Sequence, residues 1–514
     1  MKAMILFIAT FGVLSASAQT LPSHQGERLR VGDQRSGMGS GVGSVSDTLR
    51  LTLDDCITMA RRQSIDAAVA LGELRSAYWQ WRSYKADLLP EVSLQGTAPS
   101  WNKRYSSYQQ ADGSLSFVRN DYLGLDGAVN ITQKLWPTGG TLSVESSLDY
   151  LHQSGGVSGN QFMSLPVAVT LSQPLFGVNH QKWDRRIEPL RYREAQARFL
   201  TETEQVAMQA ISLYFGLLLA GEQVNIARQN LQTAEKLYEV AQAKRRMGTI
   251  SENDVLQLRL DVLTARSALT NAVSNRQARQ FALRSFLDVE TDIEPSVPED
   301  VPQVRLDYDN VLSHALQNNA LATTMRRRQM EADYAVASAR ANRQSINLYA
   351  QLGYTGTGEN MSSAYRNLLS NEVVSVGITV PLLDWGKRKG QRRLAESNRD
   401  IIQGQLRQQA QDFRQNIFIL TEQFNNQAEQ LRIACEADTI ARRRYHTNVE
   451  TFKIGSISTL ELSDAQKSKD QARIGRIQQL FNYWYYYYQL RSIALWDFER
   501  GCELTADVER LIEH

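Results

Sequence analysis

Cysteine is almost missing from this chain: Cys56, Cys435 and Cys502 are its three copies in 514 residues, with no CxxC spacing. An odd, scattered set argues against a zinc knuckle and a complete disulfide framework, so three free thiols are expected, with a single disulfide as the alternative. Histidine is equally sparse. The six copies (His24, His152, His180, His314, His446, His514) show no HExxH or paired spacing, which leaves a metal site or general base without support. GxSxG and Walker-type motifs are missing too, so neither catalysis nor a cofactor is expected. A net charge of +2 gives nucleic acid no basic footprint. Beyond the N-terminus no stretch approaches 18 consecutive apolar residues, so no membrane helix is expected in the mature chain. Strands could still cross a membrane.

What is present begins with Met1 and Lys2, an apolar run "MILFIATFGVL" and the small-residue stretch "SASA". These are the parts of a secretory signal peptide, expected over residues 1–18 with cleavage after Ala18. No cysteine precedes Cys56, so a lipid anchor at the new N-terminus has no acceptor. Residues 19–48 are rich in Gly and Ser and read as a flexible leader. Its glycines Gly37, Gly39, Gly41 and Gly43 lack the strand and helix that a phosphate-cradling loop requires.

The remainder is duplicated. Pro174 aligns with Pro381 and Gly248 with Gly455, both at an offset of 207. Leu53 aligns with Tyr308 at an offset of 255, which leaves 255 − 207 = 48 extra residues among the strands of the first half. The first repeat is placed at 49–295 (strands 91–176, helical hairpin 188–288), the second at 296–500 (strands 347–382, hairpin 388–495), and a tail at 501–514. Alternation marks the strands: Val374, Val376, Ile378 and Val380; Val167, Val169 and Leu171; Leu348, Ala350, Leu352 and Tyr354; Val92 and Leu94. Leu123, Leu125, Val129 and Ile131, a "PTGG" turn at 137–140, then Leu142, Val144, Leu148 and Tyr150 spell a hairpin. Alternation is shared by a membrane barrel and a soluble sandwich, and the helices separate the two.

From about Glu188 to Met247 the chain would span roughly 85 Å as a helix. Leu217, Val224, Leu231 and Tyr238 recur every seven residues, as do Ala220, Ala227, Ala234 and Ala241. That is a coiled-coil seam. The return helix repeats it with Val255, Val262 and Leu269 beside Leu258, Ala265 and Ala272. The second half follows with Ile417, Phe424 and Leu431 beside Leu420, Gln427, Ala434 and Ala441. A hairpin this long and thin cannot bury all its faces alone, so packing against other copies is expected.

The order of these parts resembles the TolC-like outer-membrane efflux family from about residue 50 to 500. Its most specific element is an apolar–Gly–small–apolar sequence at each hairpin tip: Met247, Gly248, Thr249, Ile250 and Ser251, and again Ile454, Gly455, Ser456, Ile457 and Ser458. The resemblance implies a mainly α fold with a membrane β-barrel part, a homotrimer closing one barrel in outer-membrane lipid and one helical tunnel through the periplasm. It implies a passive channel whose tips dock a periplasmic adaptor (membrane fusion) protein, linked to an RND-type or ABC-type inner-membrane transporter. Asp254, Glu461 and Asp464 stand where the family narrows its periplasmic entrance, although acids at a helix start also favour the helix dipole. The basic partner of such a latch stays open, because Ile457 occupies the corresponding tip position. The 48 extra residues exceed the usual four strands per protomer and would form an outer loop or extra barrel strands. For the aromatic run 481–498 helix packing is favoured over interfacial anchoring. The rival reading is a structural or adhesive coiled-coil envelope protein without a pore, which would not explain strands at matching points of both repeats.

Overall fold

A computed structural model describes residues 49–511, apart from 111–112, 155–158, 249, 299–300, 302–303, 342–344, 380–381, 454–455, 458 and 507–509. The expected signal peptide and leader therefore lie outside the described residues, as do Val380 and Pro381. The elements run β1 (Leu49–Leu51), α1 (Leu53–Gln63), α2 (Ile65–Ala86), β2 (Glu91–Gln109), β3 (Leu115–Leu135), β4 (Gly140–Gln153), β5 (Gly159–Pro174), α3 (His180–Arg246) and α4 (Glu252–Leu287). β6 (Ile293–Pro295) ends the first half; the second gives α5 (Tyr308–Asn318), α6 (Ala320–Ala341), β7 (Ser345–Gly358), the short α7 (Met361–Ala364), β8 (Leu368–Thr379), α8 (Lys387–Lys453) and α9 (Thr459–Ala494), closed by β9 (Trp496–Asp497) and β10 (Cys502–Glu503).

The duplication is visible in helix lengths. α1 and α5 have 11 residues each, α2 and α6 have 22, α3 and α8 have 67, and α4 and α9 have 36. The halves differ in what they give to the main sheet, four strands (β2–β5) from the first against two (β7 and β8) from the second. The 48 extra residues are thus a β-hairpin's worth of sheet rather than a loop. Local signals set the helix ends: Thr52 caps α1 in a reciprocal box with Asp55, and Ser64 both ends α1 and caps α2. α3 begins at His180, upstream of the expected 188, because Asn179 accepts from the Lys182 amide and starts the helix there. Pro189 consequently sits inside α3 rather than at its first turn.

Helices lie in the order α2–α3–α6–α8 nearest the strands and α4–α3–α9–α8 towards the tips. The main core lies where the two repeats meet, with Tyr214 and Phe215 of α3, Phe424 of α8, and Tyr483 and Tyr487 of α9 almost fully buried. The aromatic run of α9 therefore serves packing: Phe424 packs at a tilt against Tyr483 with ring centroids 5.1 Å apart. α3 alone among the described helices holds an apolar window long enough to cross a bilayer. Val206, Ala210, Ile211, Tyr214, Leu217 and Leu218 of this helix face the core, and packing accounts for their apolarity. An ion network crosses the same region. Arg61 donates to buried Glu204 at 2.6 Å, Arg491 lies 3.1 Å from Glu204, and Arg491 donates to Asp497 at 2.8 Å. Burial pushes the Glu204 carboxyl up despite the pull of the two guanidiniums. All three cysteines are free, and burial raises the Cys56 thiol to about 12.

Strands β2-β3-β4-β5-β7-β8 form one antiparallel six-stranded sheet. Its register aligns apolar residues across strands: Val92 faces Ile131, which faces Val144, then Val169, then Leu352. The intervening positions place Ser93, Asn130 and Glu145 opposite one another on the other face. One side of the sheet is apolar and exposed, with Leu94 at 80% and Val376 at 54% exposure, and the other is polar. This is the two-sided pattern of a wall between lipid and water.

Candidate functional site at the hairpin tips

The first tip is built by termination signals. α3 ends at Arg246, Met247 caps it, and Gly248 takes φ 74°, the left-handed conformation that a residue without Cβ adopts freely. The Gly248 amide donates to the Arg245 carbonyl at 2.9 Å. Ser251 then caps α4. Its Oγ accepts from the Asp254 amide at 3.2 Å, while Asp254 Oδ2 accepts from the Ser251 hydroxyl at 2.7 Å. Asp254 is thus committed to a capping box, the stabilising role that competed with a gate in its sequence context. A Cβ on Gly248 would meet nothing within 4 Å, and Met247 is 70% exposed, so the tip presents open backbone and an apolar side chain. Thr249 lies outside the described residues, and Ile250 is half-buried.

At the second tip Ile454, Gly455 and Ser458 lie outside the described residues. Ser456 is exposed and its amide donates to the Thr451 carbonyl at 3.1 Å, while Ile457 is half-buried. Glu461 sits in the first turn of α9, where its charge favours the helix dipole. Asp464 has a different role. It accepts from Arg444 Nη2 of α8 at 2.8 Å, pinning the two helices of the second hairpin.

Sequence reading missed this basic partner because it looked at the tip itself. Arg444 and Asp464 are twenty residues apart and flank Ile454 evenly, so folding the hairpin about its tip brings them together. Pairing positions by equal distance from the turn would have found Arg444.

A second set of contacts, also missed, ties α9 to α3 across the repeats. Gln466 bonds Asn230, Lys469 donates to Gln229 at 3.3 Å, and Arg473 donates to Glu222 at 3.3 Å. Behind them, fully buried Asp438 accepts from Arg442 at 2.7 Å and from Arg476 at 3.3 Å. Asp470, beside Lys469, has its carboxyl raised by burial against the Lys469 charge. This polar ladder holds the second hairpin to the first.

The outer membrane efflux protein family model matches residues 56–288 and 311–485 of the chain. Cobalt-zinc-cadmium resistance protein CzcC of Cupriavidus metallidurans is 23% identical over 296 residues, which are 54% of this chain and 65% of CzcC. Alkaline protease secretion protein AprF of Pseudomonas aeruginosa is 23% identical over 251 residues, 45% of this chain and 50% of AprF. The chain thus spans about two thirds and one half of these relatives. The crystal structure of the Campylobacter jejuni CmeC outer membrane channel superimposes with a TM-score of 0.63 at 16% identity, covering 90% of this chain and 88% of CmeC.

Proposed function

The chain belongs to the outer membrane efflux protein family, and we propose that it is the outer-membrane channel of a tripartite efflux or secretion system, passively conducting cargo from the periplasm to the outside. The working form is a homotrimer. Its sheets close a barrel in outer-membrane lipid, and its helices form a tunnel in the periplasm. The two tips, Met247–Ser251 and Ile454–Ser458, dock a periplasmic adaptor that connects to an RND-type or ABC-type transporter. Asp464, held by Arg444, belongs to the constriction at the tunnel entrance, with Glu461 in the neighbouring turn and Asp254 supporting the fold of the first tip.

The observation that carries this reading is the two-sided sheet joined to helical hairpins that leave apolar stripes uncovered. Leu256, Leu260 and Leu263 of α4 are each more than half exposed, and Ile440 of α8 is 58% exposed. One copy alone would leave these stripes in water at a cost of about 25 cal/mol per Å². Cargo is open, since the relatives' names range from metal resistance to protease secretion. The test is purification from outer-membrane fractions, followed by planar-bilayer recording. Ion-conducting trimers are expected; a well-folded trimer that conducts no current would remove the channel reading.

A further inference from the structure

The six-stranded sheet ends on β2 and β8. An edge left open in hydrocarbon costs several kcal/mol for each unsatisfied backbone group, so within a bilayer both edges must find partners. We propose that β2 of one copy pairs with β8 of the next. In the trimer on which this inference rests, six strands from each copy then close a barrel of eighteen, rather than the twelve that four strands per protomer would give.

Four observations converge on a second copy as the occupant. Consecutive neighbours in the sheet are antiparallel and their number is even, so β2 and β8 run in opposite directions and can continue the ladder without a change of pattern. The additional strands share the wall's two-sided character: Val92 and Leu94 of β2 are exposed at 67% and 80% and lie opposite Ile131 and Val129 of β3. A flap lying in water outside the bilayer would have no use for this apolar row, whereas a lipid-facing wall requires it.

The helices divide the same way. α4 and α2 stand at one end of the helix order and α8 at the other, so the stripe of Leu256, Leu260 and Leu263 on one flank is positioned to meet Ile433 and Ile440 on the next copy's opposite flank. The junction that joins α4 to α8 joins β2 to β8.

Widths also agree. Strands about 4.8 Å apart and tilted about 40° give a backbone radius of roughly 12 Å for twelve strands and roughly 18 Å for eighteen. Four helices abreast per copy, spaced about 9–10 Å, place twelve helix axes at a radius of roughly 17–19 Å. At that tilt eighteen strands continue the tunnel at nearly constant width, whereas twelve would match it only at a steeper tilt.

The test is cryo-electron microscopy of the native protein in lipid nanodiscs, with strands counted in the barrel. Site-directed cross-linking accompanies it in a variant without Cys56, Cys435 and Cys502. Ser93→Cys and Gln95→Cys on β2 are each combined with Val373→Cys and Ser375→Cys on β8. Eighteen strands and covalent trimers from β2–β8 pairs are expected. An intact trimer of twelve strands, cross-linking instead through Ser143→Cys on β4 with Ser375→Cys on β8, would overturn the proposal while leaving the channel reading in place. A chain that light scattering finds monomeric in detergent would overturn the trimer itself.

Discussion

Arg444→Ala removes a guanidinium that holds Asp464, and the consequence can be bounded from the geometry. The pair spans α8 and α9 at 2.8 Å, with Arg444 and Asp464 side chains 51% and 62% exposed. A pair so exposed is worth about 0.2–1 kcal/mol. If the trimer narrows only when all three copies are paired, the sum is about 0.6–3 kcal/mol, a change of roughly 3- to 150-fold in the ratio of narrow to wide states. Screening shortens from about 10 Å at 0.1 M salt to about 3 Å at 1 M, so the effect should shrink in concentrated salt. Single-channel recording of purified trimers in 0.1 M and 1 M KCl measures it. Arg444→Ala and Asp464→Asn should both raise the occupancy of wider conductance levels, by similar factors and mainly in low salt. Each single change also alters the charge at the entrance. The exchanged pair Arg444→Asp with Asp464→Arg keeps the total charge and should restore wild-type occupancy. If the exchange fails to restore it, or the two single variants shift occupancy in opposite directions, the ion pair does not hold the entrance.

Gly248→Ala should cost about 1–2 kcal/mol, the penalty of left-handed backbone for an L-residue, and leave the trimer and its pore intact because open space surrounds the site. Gly248→Trp should likewise spare the pore in bilayers yet abolish efflux in cells if the tip docks an adaptor; unchanged efflux would end that assignment. Phe424→Ala, emptying a fully buried site beside Tyr483 and Tyr487, should destabilise by about 3–5 kcal/mol, read as a lower apparent melting temperature of the trimer. Glu194 supplies a pH test. Burial raises its carboxyl, but two bonds from Arg327, at 2.6 and 3.2 Å, outweigh that and hold it below the ordinary value of 4.5. A depressed carboxylate contributes stability above its unfolded pKa and loses it as pH falls through the folded one. Glu194→Gln should therefore lower the melting temperature fully at pH 7, with the deficit fading below pH 4.5; a deficit constant across that range would refute the linkage.

The parts of this architecture that follow from local periodicity could be read before folding, and the parts that depend on register could not. The seam residues Leu217, Ala220 and Val224 announced themselves by spacing and are buried. The hairpin of β3 and β4 was evident from alternation around its Pro-Gly turn. β2 and the first half of β3 were harder, for a physical reason. Lys103–Gln109 and Leu115–Asp121 pair with each other beyond the last β4 partner, Gln153, so they overhang the wall and need no apolar face. An irregularity between Thr97 and Ser100 further breaks the alternation just before the overhang begins. The start of α3 was obscured by Pro189, which resembles a first-turn proline until the Asn179 cap is seen.

The acidic residues after the tips show the same division most sharply. The carboxylates could be placed because acids cluster after the tips, but a carboxylate after a turn is ambiguous between capping and pairing. Asp254 went to the cap because Ser251 stands three residues before it; Asp464 went to Arg444 because the coiled-coil register brings that arginine level with it on the facing helix. What decides between a helix cap and a cross-hairpin ion pair is therefore not the acid itself but its neighbour three residues back and the residue equally far across the turn. Both are present in the sequence, and the second becomes visible only once the hairpin's axis is known.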